Sequence, residues 1–326
     1  MAAEPMLRVR GLTKHFPVRG GLFLRTTGHV HAVDDVSFDL DVGETVGLVG
    51  ESGCGKSTVG KTLLRLHEPT AGEVLFEGRD ITTMGRRELR QLRRDIQIIL
   101  QDPFESLNAR HTVGKILEEP FVIHRIGTTQ ERRRWAGELL ERVGLSPAAA
   151  SRFPHEFSGG QRQRIGIARA IALRPKLIVC DEAVSALDVS IQSQIINLLL
   201  DLQREMHLAL IFIAHDLAVV KHVSDRIAVM YLGEVVETAT AKDIYASPRH
   251  PYTQALISAI PLPDPTADRD RIVLVGDVPS PIDPPSGCRF HTRCRHARED
   301  CRQRKPTLDT VRDGASVACH YWRGLG

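Results

Sequence analysis

The residues with the clearest chemical potential form a glycine-rich stretch at positions 50–58. It reads Gly-Glu-Ser-Gly-Cys-Gly-Lys-Ser-Thr and fits the pattern G-x-x-x-x-G-K-[ST]. In that pattern backbone N–H groups and the lysine bind phosphates, the next hydroxyl binds Mg²⁺, and the helix that follows adds its positive end. A glycine-rich turn without a ligand is the alternative. The predicted contacts to ATP and Mg²⁺ come from Gly50, Ser52, Gly53, Gly55, Lys56, Ser57 and Thr58, whereas Cys54 occupies a variable position.

Two adjacent carboxylates follow an apolar run at 177–180. The run Leu-Ile-Val-Cys is typical of a strand buried on both faces, and Asp181 and Glu182 end it. Such a pair can place one acid at a metal ion and the other at an attacking water. Asp181 is the predicted Mg²⁺ ligand and Glu182 the predicted general base. Alone the pattern is weak, because many strands end in solvated acids.

A second phosphate-binding surface is predicted at Ser158, Gly159, Gly160 and Gln161, which follow Phe157. A serine hydroxyl, glycine amides and the start of a helix can bind phosphate oxygens, and a flexible turn without a ligand is the alternative. Together with the two motifs above, this stretch resembles the signature sequence of ABC-type ATPases, normally Leu-Ser-Gly-Gly-Gln. The resemblance implies that the turn faces the γ-phosphate held by the other subunit of a dimer.

The remaining elements of this family occur in the expected order. The resemblance implies that Gln101 contacts Mg²⁺ and water, that the loop ending in Asp188 crosses to the partner subunit, and that His215 lies at the γ-phosphate. Singly, Gln101 would be an ordinary surface amide and His215 a histidine at a strand end. Phe16 is the candidate for stacking on adenine, with simple packing as its alternative.

Alternating strand and helix patterns surround these motifs. Short strands are expected from Leu7 to about Leu40, broken by a surface loop at 19–28. Further strands are expected at 45–49, 177–180 and 210–214, and helices from 56 onward and at 88–94, 131–143 and 192–206. This alternation predicts an α/β core. With the resemblance, the expected architecture is a RecA-like P-loop ABC ATPase core with an N-terminal antiparallel β subdomain and a helical signature subdomain at about 88–165.

The composition changes after Pro248, where prolines crowd a segment with few periodic patterns. We therefore expect an ABC ATPase domain at 1–240 and a small C-terminal extension rich in Pro and Cys at 241–326. A reducing cytosol disfavours disulfides, and a bound metal could stabilise a segment poor in core residues. The extension contains four cysteines, Cys288, Cys294, Cys301 and Cys319. Their spacing departs from the paired C-x2-C of many zinc sites, but neighbouring histidines keep zinc possible. Free thiols are a third alternative.

Several stretches resemble the ATP-binding subunits of oligopeptide and dipeptide importers, namely 181–192, 101–103 leading into 106–108, and 250–256. Ala183, where most ABC ATPases have Pro, points to the second, F-type subunit. The resemblance implies a peptide-translocating ATPase, a [4Fe–4S] cluster on the four cysteines, an unlike second ATPase subunit, two transmembrane permease subunits and an extracytoplasmic peptide-binding protein. A nickel importer, a soluble ABC ATPase of an intracellular complex such as phosphonate degradation, and a redox-sensing regulator remain alternatives.

Composition argues against several other classes. Charged residues make up 25% of the 326 residues and the formal net charge is +3, so a nucleic-acid partner is not expected. No apolar stretch reaches the roughly 18 residues of a spanning helix. The N-terminus has no apolar core of a secretory signal. We expect a cytosolic chain that binds peripherally to the cytoplasmic face of the membrane through its partners.

Overall fold

The computed structural model describes residues 4–20, 25–102, 106–261, 271–312 and 314–324. Contacts divide the chain into two compact units. The first comprises Met1–Asp41, Thr45–Thr83 and Ala214–Gly326, and the second comprises Val42–Glu44 and Met84–Ile213. The first unit thus holds both the glycine-rich loop and the cysteine-rich C-terminal residues. The expected boundary near residue 240 and the helical subdomain at 88–165 stay predictions.

The strands, in chain order, are β1 (Leu7–Gly20), β2 (Arg25–Leu40), β3 (Thr45–Val49), β4 (Ala71–Phe76), β5 (Arg79–Asp80), β6 (Ile96–Ile99), β7 (Leu177–Asp181), β8 (Ala209–Ala214), β9 (Arg226–Tyr231), β10 (Glu234–Thr240), β11 (Asp309–Arg312) and β12 (Ala315–Val317). The α-helices are α1 (Lys56–Leu63), α2 (Arg86–Leu92), α3 (Val113–Ile123), α4 (Thr129–Arg142), α5 (Gly159–Ile171), α6 (Val189–Met206), α7 (Leu217–Val223), α8 (Ala241–Ala246), α9 (Pro251–Ser258) and α10 (Glu299–Gln303). Across the described ranges, none of the helices has the length and apolar character needed to cross a membrane.

In the first unit, an antiparallel sheet of order β2-β1-β4-β5 confirms the expected N-terminal β subdomain. The surface loop expected at 19–28 is wrong in its extent. β1 and β2 are paired as far as Gly20 and Arg25, and residues 21–24 lie outside the described residues. Cross-strand pairing satisfies the backbone groups of this polar stretch, and its threonines suit a strand. Pairing therefore outweighs the glycines that suggested a loop.

The first unit also contains strands in the order β11-β12-β10-β9-β3. β3 runs parallel to β9, and all five of its residues are buried, which confirms the strand predicted at 45–49. The C-terminal strand β12 pairs with β10, where Val317 lies opposite Glu237. The C-terminal extension thus continues the hydrogen bonding of strands that precede it in the chain.

The second unit places β6, β7 and β8 side by side, all parallel, with Leu177 of β7 paired to Ile96 on one side and Ala209 on the other. β7 and β8 are buried throughout, as apolar runs inside a parallel sheet are. The unit also carries α2 to α6. These elements confirm the strands and helices predicted there, with helix ends shifted by a few residues, and they confirm the α/β class.

Candidate active site

The glycine-rich loop lies between β3 and α1 of the first unit. Lys56 begins α1 and is 4% exposed. Its ammonium donates hydrogen bonds to the carbonyl oxygens of Gly50, at 2.8 Å, and Glu51, at 3.0 Å. These bonds close the loop on itself and hold a positive charge at the first turn of a helix. That arrangement suits the oxygens of a bound phosphate.

The other predicted loop contacts surround this lysine. Ser52 and Gly53 are exposed, whereas Ser57 and Thr58 are half-buried in the first turn of α1. Cys54 is buried, and burial raises the pKa of its thiol, so it remains uncharged at neutral pH. The structure thus brings the whole predicted set together on one loop and one helix start.

Gly55 is a position at which this loop requires glycine. It precedes α1 with φ of +105°, and a Cβ atom there would lie 2.0 Å from the carbonyl oxygen of Ala32. Any side chain would therefore meet both a backbone clash and a left-handed conformation that L-residues disfavour.

A Gly55→Ala variant is expected to lose about 2 kcal/mol or more of unfolding free energy, because the left-handed penalty of about 1–2 kcal/mol adds to the clash with Ala32. Urea titration without nucleotide measures the loss. Gly53→Ala is the matched control, since Gly53 also has positive φ, +78°, but a Cβ atom there would meet no atom of the described residues within 4 Å. Equal losses in the two variants would contradict the assignment of the clash.

Glu51 has two contacts that the motif does not predict. Its backbone N–H donates to the Tyr252 hydroxyl oxygen at 2.8 Å, and its carboxylate accepts two hydrogen bonds from Arg293, at 2.7 and 3.2 Å. The partners lie 201 and 242 positions away in the chain. Sequence reasoning missed both contacts, although Tyr252 lies in the stretch 250–256 that resembles the importer family and Arg293 precedes Cys294.

Phe16, the candidate for adenine stacking, is half-buried on β1 in the same unit. Its ring meets His67 edge-on at a centroid distance of 5.2 Å, and the Lys14 ammonium lies 4.8 Å from its centroid. The ring is thus oriented by two neighbours. Its role toward adenine stays a prediction.

His215 follows β8 and belongs to the first unit, with an exposed side chain. Asp216 immediately after it caps α7, because its carboxylate accepts the N–H of Ala218 at 2.7 Å. The cap fixes the backbone next to His215. Its predicted contact with the γ-phosphate stays a prediction.

In the second unit the paired carboxylates lie at the carboxyl end of β7. Asp181 is 3% exposed, and Glu182 has φ of +49°, a left-handed conformation that is costly for a residue with a side chain. The Glu182 N–H donates to the Ile213 carbonyl at 3.0 Å. Gln101 donates from its side-chain amide to Oε2 of Glu182 at 2.9 Å. Two predicted catalytic residues, Gln101 and Glu182, are thus in direct contact; Pro103, which follows Gln101 in the motif, lies outside the described residues.

The Ser-Gly-Gly-Gln turn begins α5. The Ser158 hydroxyl accepts the N–H of Gln161 at 3.4 Å, and the Gln161 side-chain oxygen accepts the N–H of Ser158 at 3.1 Å, which is a capping box. The first-turn amides of Gly159 and Gly160 have no intrahelical acceptor, as at any helix start. Phe157 is 5% exposed and packs in place of the usual leucine.

The same turn packs against the loop predicted to cross to a partner. A Cβ on Gly160 would lie 2.5 Å from Ile191 Cγ2, and one on Gly159 would lie 3.5 Å from Leu187 Cδ2. Asp188 caps α6, since its carboxylate accepts the Ile191 N–H at 2.9 Å. The glycines therefore allow close packing within this chain as well as access to backbone amides.

Four thiols of the C-terminal extension line one cavity in the first unit, together with His250, Phe290 and Tyr321. Burial raises the pKa of Cys288 to about 12. No three sulfur atoms of the described cysteines lie within 4.8 Å of one another. The four thiols that line the cavity are those of Cys288, Cys294, Cys301 and Cys319.

Comparisons with known proteins agree with this geometry. The ABC transporter family model matches residues 33–185, and the model of the oligopeptide/dipeptide transporter C-terminal region matches residues 236–301. A dimeric ATP-binding cassette, solved in a post-hydrolysis state with ADP and Pi, is 30% identical with a TM-score of 0.65, covering 72% of this chain and 99% of its own. CbiO1 from Clostridium perfringens, part of an ABC transporter complex, is 26% identical with a TM-score of 0.64 and coverages of 75% and 92%. Fold and motifs together define an ABC-type ATPase, for which ATP is the substrate and Mg²⁺ the cofactor.

Relatives match over nearly the whole chain. The oligopeptide transport ATP-binding protein AppF of Bacillus subtilis is 53% identical over 98% of both chains. A probable peptide ABC transporter ATP-binding protein of Sinorhizobium fredii is 54% identical over 98% of this chain and 90% of the relative. The chain therefore belongs to the family of ABC transporter ATP-binding proteins with the oligopeptide/dipeptide transporter C-terminal region. The family and the ATPase activity predicted from the motifs are confirmed.

Proposed function

We propose that this ATPase powers the uptake of di- and oligopeptides, bound peripherally at the cytoplasmic face of the membrane. The observation that carries the proposal is one chain with two phosphate-binding helix starts, α1 behind Lys56 and α5 behind Ser158, followed by a C-terminal region of the peptide-transporter type. The relatives named as peptide transport proteins support the cargo.

In the proposed mechanism the loop amides and Lys56 bind the phosphates of ATP, while Phe16 stacks on adenine. Ser57, Asp181 and Gln101 offer oxygen atoms, the ligands that Mg²⁺ prefers, so the residues fit this ion. When bound by these residues, Mg²⁺ would neutralise charge that develops on the phosphate oxygens. The positive start of α1 acts on the same charge.

Glu182 accepts a proton from the water that attacks the γ-phosphorus, the bond to the β,γ-bridging oxygen breaks, and ADP and phosphate are released. The Gln101 hydrogen bond orients the carboxylate for this transfer. His215 contacts the γ-phosphate. Each group acts by position and charge, as phosphoryl transfer requires.

We propose that the Ser158–Gln161 turn completes the nucleotide site of a second, unlike ATPase subunit, and that Asp188 lies on the loop that crosses to it. The capped helix start supports this role, because amides at a helix start and its dipole attract a phosphate. Ala183 in place of proline supports the F-type assignment of this chain in the heterodimer.

Two membrane-spanning permeases and an extracytoplasmic peptide-binding protein complete the proposed complex. In the second unit, Val122 and Ile123 at the end of α3 are 51% and 45% exposed, beside a cavity lined by Phe121 and Trp135. An apolar surface of this kind supports docking of another protein. Proteoliposomes containing both ATPases and both permeases test the proposal. Peptide-loaded binding protein should stimulate ATP hydrolysis. If only a nickel-loaded binding protein stimulated it, the proposal that the cargo is a peptide would be contradicted.

We propose that the four cysteines hold a [4Fe–4S] cluster with a structural role. The donor set fits, because four thiols face one cavity. Zinc is the alternative, because His291, His296 and His320 line the same cavity and imidazole is a zinc ligand.

Protein purified without oxygen is expected to be brown and to contain about four irons per chain. The four cysteines suffice to hold one [4Fe–4S] cluster, and each such cluster contains four irons. Iron and zinc are measured in the same sample. A Cys294→Ser variant should lose most of the iron, whereas Cys54→Ser, which alters a cysteine outside the cavity, should keep it. One zinc per chain without iron would contradict the cluster.

A further inference from the structure

Glu51, in the glycine-rich loop, links the phosphate-binding lysine to the C-terminal extension. Its carbonyl oxygen accepts a hydrogen bond from Lys56 and its N–H donates to Tyr252. Its carboxylate binds Arg293. A displacement of Glu51 would therefore also displace an acceptor that holds the ammonium of Lys56.

The Arg293–Glu51 pair differs from an ordinary surface ion pair. Both terminal guanidinium nitrogens reach the carboxylate, at 2.7 and 3.2 Å, and the two side chains are 8% and 28% exposed. Charge-assisted pairs with two parallel hydrogen bonds are stronger and more directional than single contacts. Reduced exposure to water limits the screening that makes surface pairs weak.

Tyr252 provides a rigid second attachment. It lies in the first turn of α9 and is fully buried, and its ring packs against Tyr231 and Phe290 at centroid distances of 4.8 and 5.4 Å. Phe290 lies between Cys288 and Cys294 in the sequence. The side chain that fixes the Glu51 N–H is thus itself fixed by the segment that carries the cysteines.

A third contact joins the middle of the loop to the same segment. The N–H of Gly233 donates to the Cys54 carbonyl at 2.9 Å, and Arg289, next to Cys288, donates to the carbonyl of the neighbouring Leu232. Arg289 also pairs with Glu234 at 3.0 Å. The cysteine segment, residues 288–301, therefore supports the loop at two points, directly at Glu51 and through Leu232 and Gly233 at Cys54.

We propose that the cysteine segment holds the phosphate loop in its nucleotide-binding shape, with Arg293 and Tyr252 as positioning residues that act through Glu51. ATP then binds without the free-energy cost of ordering the loop, because the loop is preorganised. The C-terminal extension thereby becomes part of the nucleotide site of the ATPase. The inference holds whichever metal the cysteines bind, so it does not rest on the proposed cluster.

Binding of a fluorescent ATP analogue with Mg²⁺ to the full chain tests this. Arg293→Met and Glu51→Gln should each raise Kd about tenfold, which corresponds to about 1.4 kcal/mol. The double variant should be no weaker than either single variant, because both remove one interaction. Arg293→Lys, which keeps the charge but not the two-pronged geometry, should recover part of the affinity.

Two further readouts separate positioning from general destabilisation. In the assembled complex the variants should raise KM while kcat stays near the parental value, since the reacting groups are unchanged. Arg304→Met is the matched control, because it removes an exposed pair with Asp300 from the same extension and should leave Kd unchanged.

Metal content is measured for every variant. Arg293→Met with parental metal and parental Kd would overturn the inference, and so would additive effects in the double variant. If Arg293→Met loses its metal, Glu51→Gln decides, because Glu51 lies outside the cysteine segment and an unchanged Kd there also overturns it. If the parent protein contains no iron, the proposed cluster is contradicted, but the two variants are still expected to raise the Kd for the ATP analogue about tenfold.

Discussion

A Glu182→Gln variant in the assembled complex is expected to hydrolyse ATP about a hundredfold or more slowly than the parent, the usual contribution of a general base. The amide has the shape of the carboxylate but accepts a proton far less readily. Gln101 can still donate to the side-chain oxygen that replaces Oε2, so the local geometry is preserved. The loss should therefore fall on kcat, with little change in the affinity for ATP.

Phosphate release under saturating ATP measures the rate, and the fluorescent ATP analogue measures the affinity. Glu205→Gln is the matched control in the same unit, because Glu205 is exposed and pairs with Arg142 away from β7. It should hydrolyse ATP at the parental rate. A parental rate in Glu182→Gln would remove Glu182 from the proposed mechanism.

The local part of the site could be predicted from the sequence because its chemistry is encoded in short, contiguous stretches. A buried strand, a glycine-rich turn and a helix start are contiguous, so the sequence alone predicts Lys56 at the first turn of α1. The same holds for Ser158 and Gln161, whose capping box spans four residues. Helices and buried strands in these regions were predicted for the same reason.

Long-range pairing is where sequence reasoning failed. The stretch at 19–28 has the polar and glycine content of a loop, yet pairing such as Gly20 with Arg25 turns most of it into strand. The two residues that hold Glu51 in place, Tyr252 and Arg293, are more than 200 positions away in the chain. Neither has a periodicity or spacing relative to the loop, so packing alone brings them there.

A Lys56→Met variant is expected to weaken ATP binding about a hundredfold or more, because each hydrogen bond from a charged group contributes about 1.5–3 kcal/mol and the ammonium would make at least two with the phosphates. The thioether also cannot replace the bonds to the carbonyls of Gly50 and Glu51, so the loop loses its closing contact. Binding of the fluorescent analogue and of unlabelled ATP by competition measures the loss.

Lys61→Met serves as the control, since Lys61 lies on the last turn of α1. Its Kd should stay within about fivefold of the parent, because helix-end charges contribute less than about 1 kcal/mol. Lys56→Met should keep the parental metal content, because Lys56 is not among the residues lining the cysteine cavity. Retained ATP affinity in Lys56→Met would mean that the loop amides and the start of α1 suffice for binding. Together the two variants separate the binding of ATP from its hydrolysis. Lys56→Met should lose affinity for ATP, whereas Glu182→Gln should bind ATP and fail to cleave it.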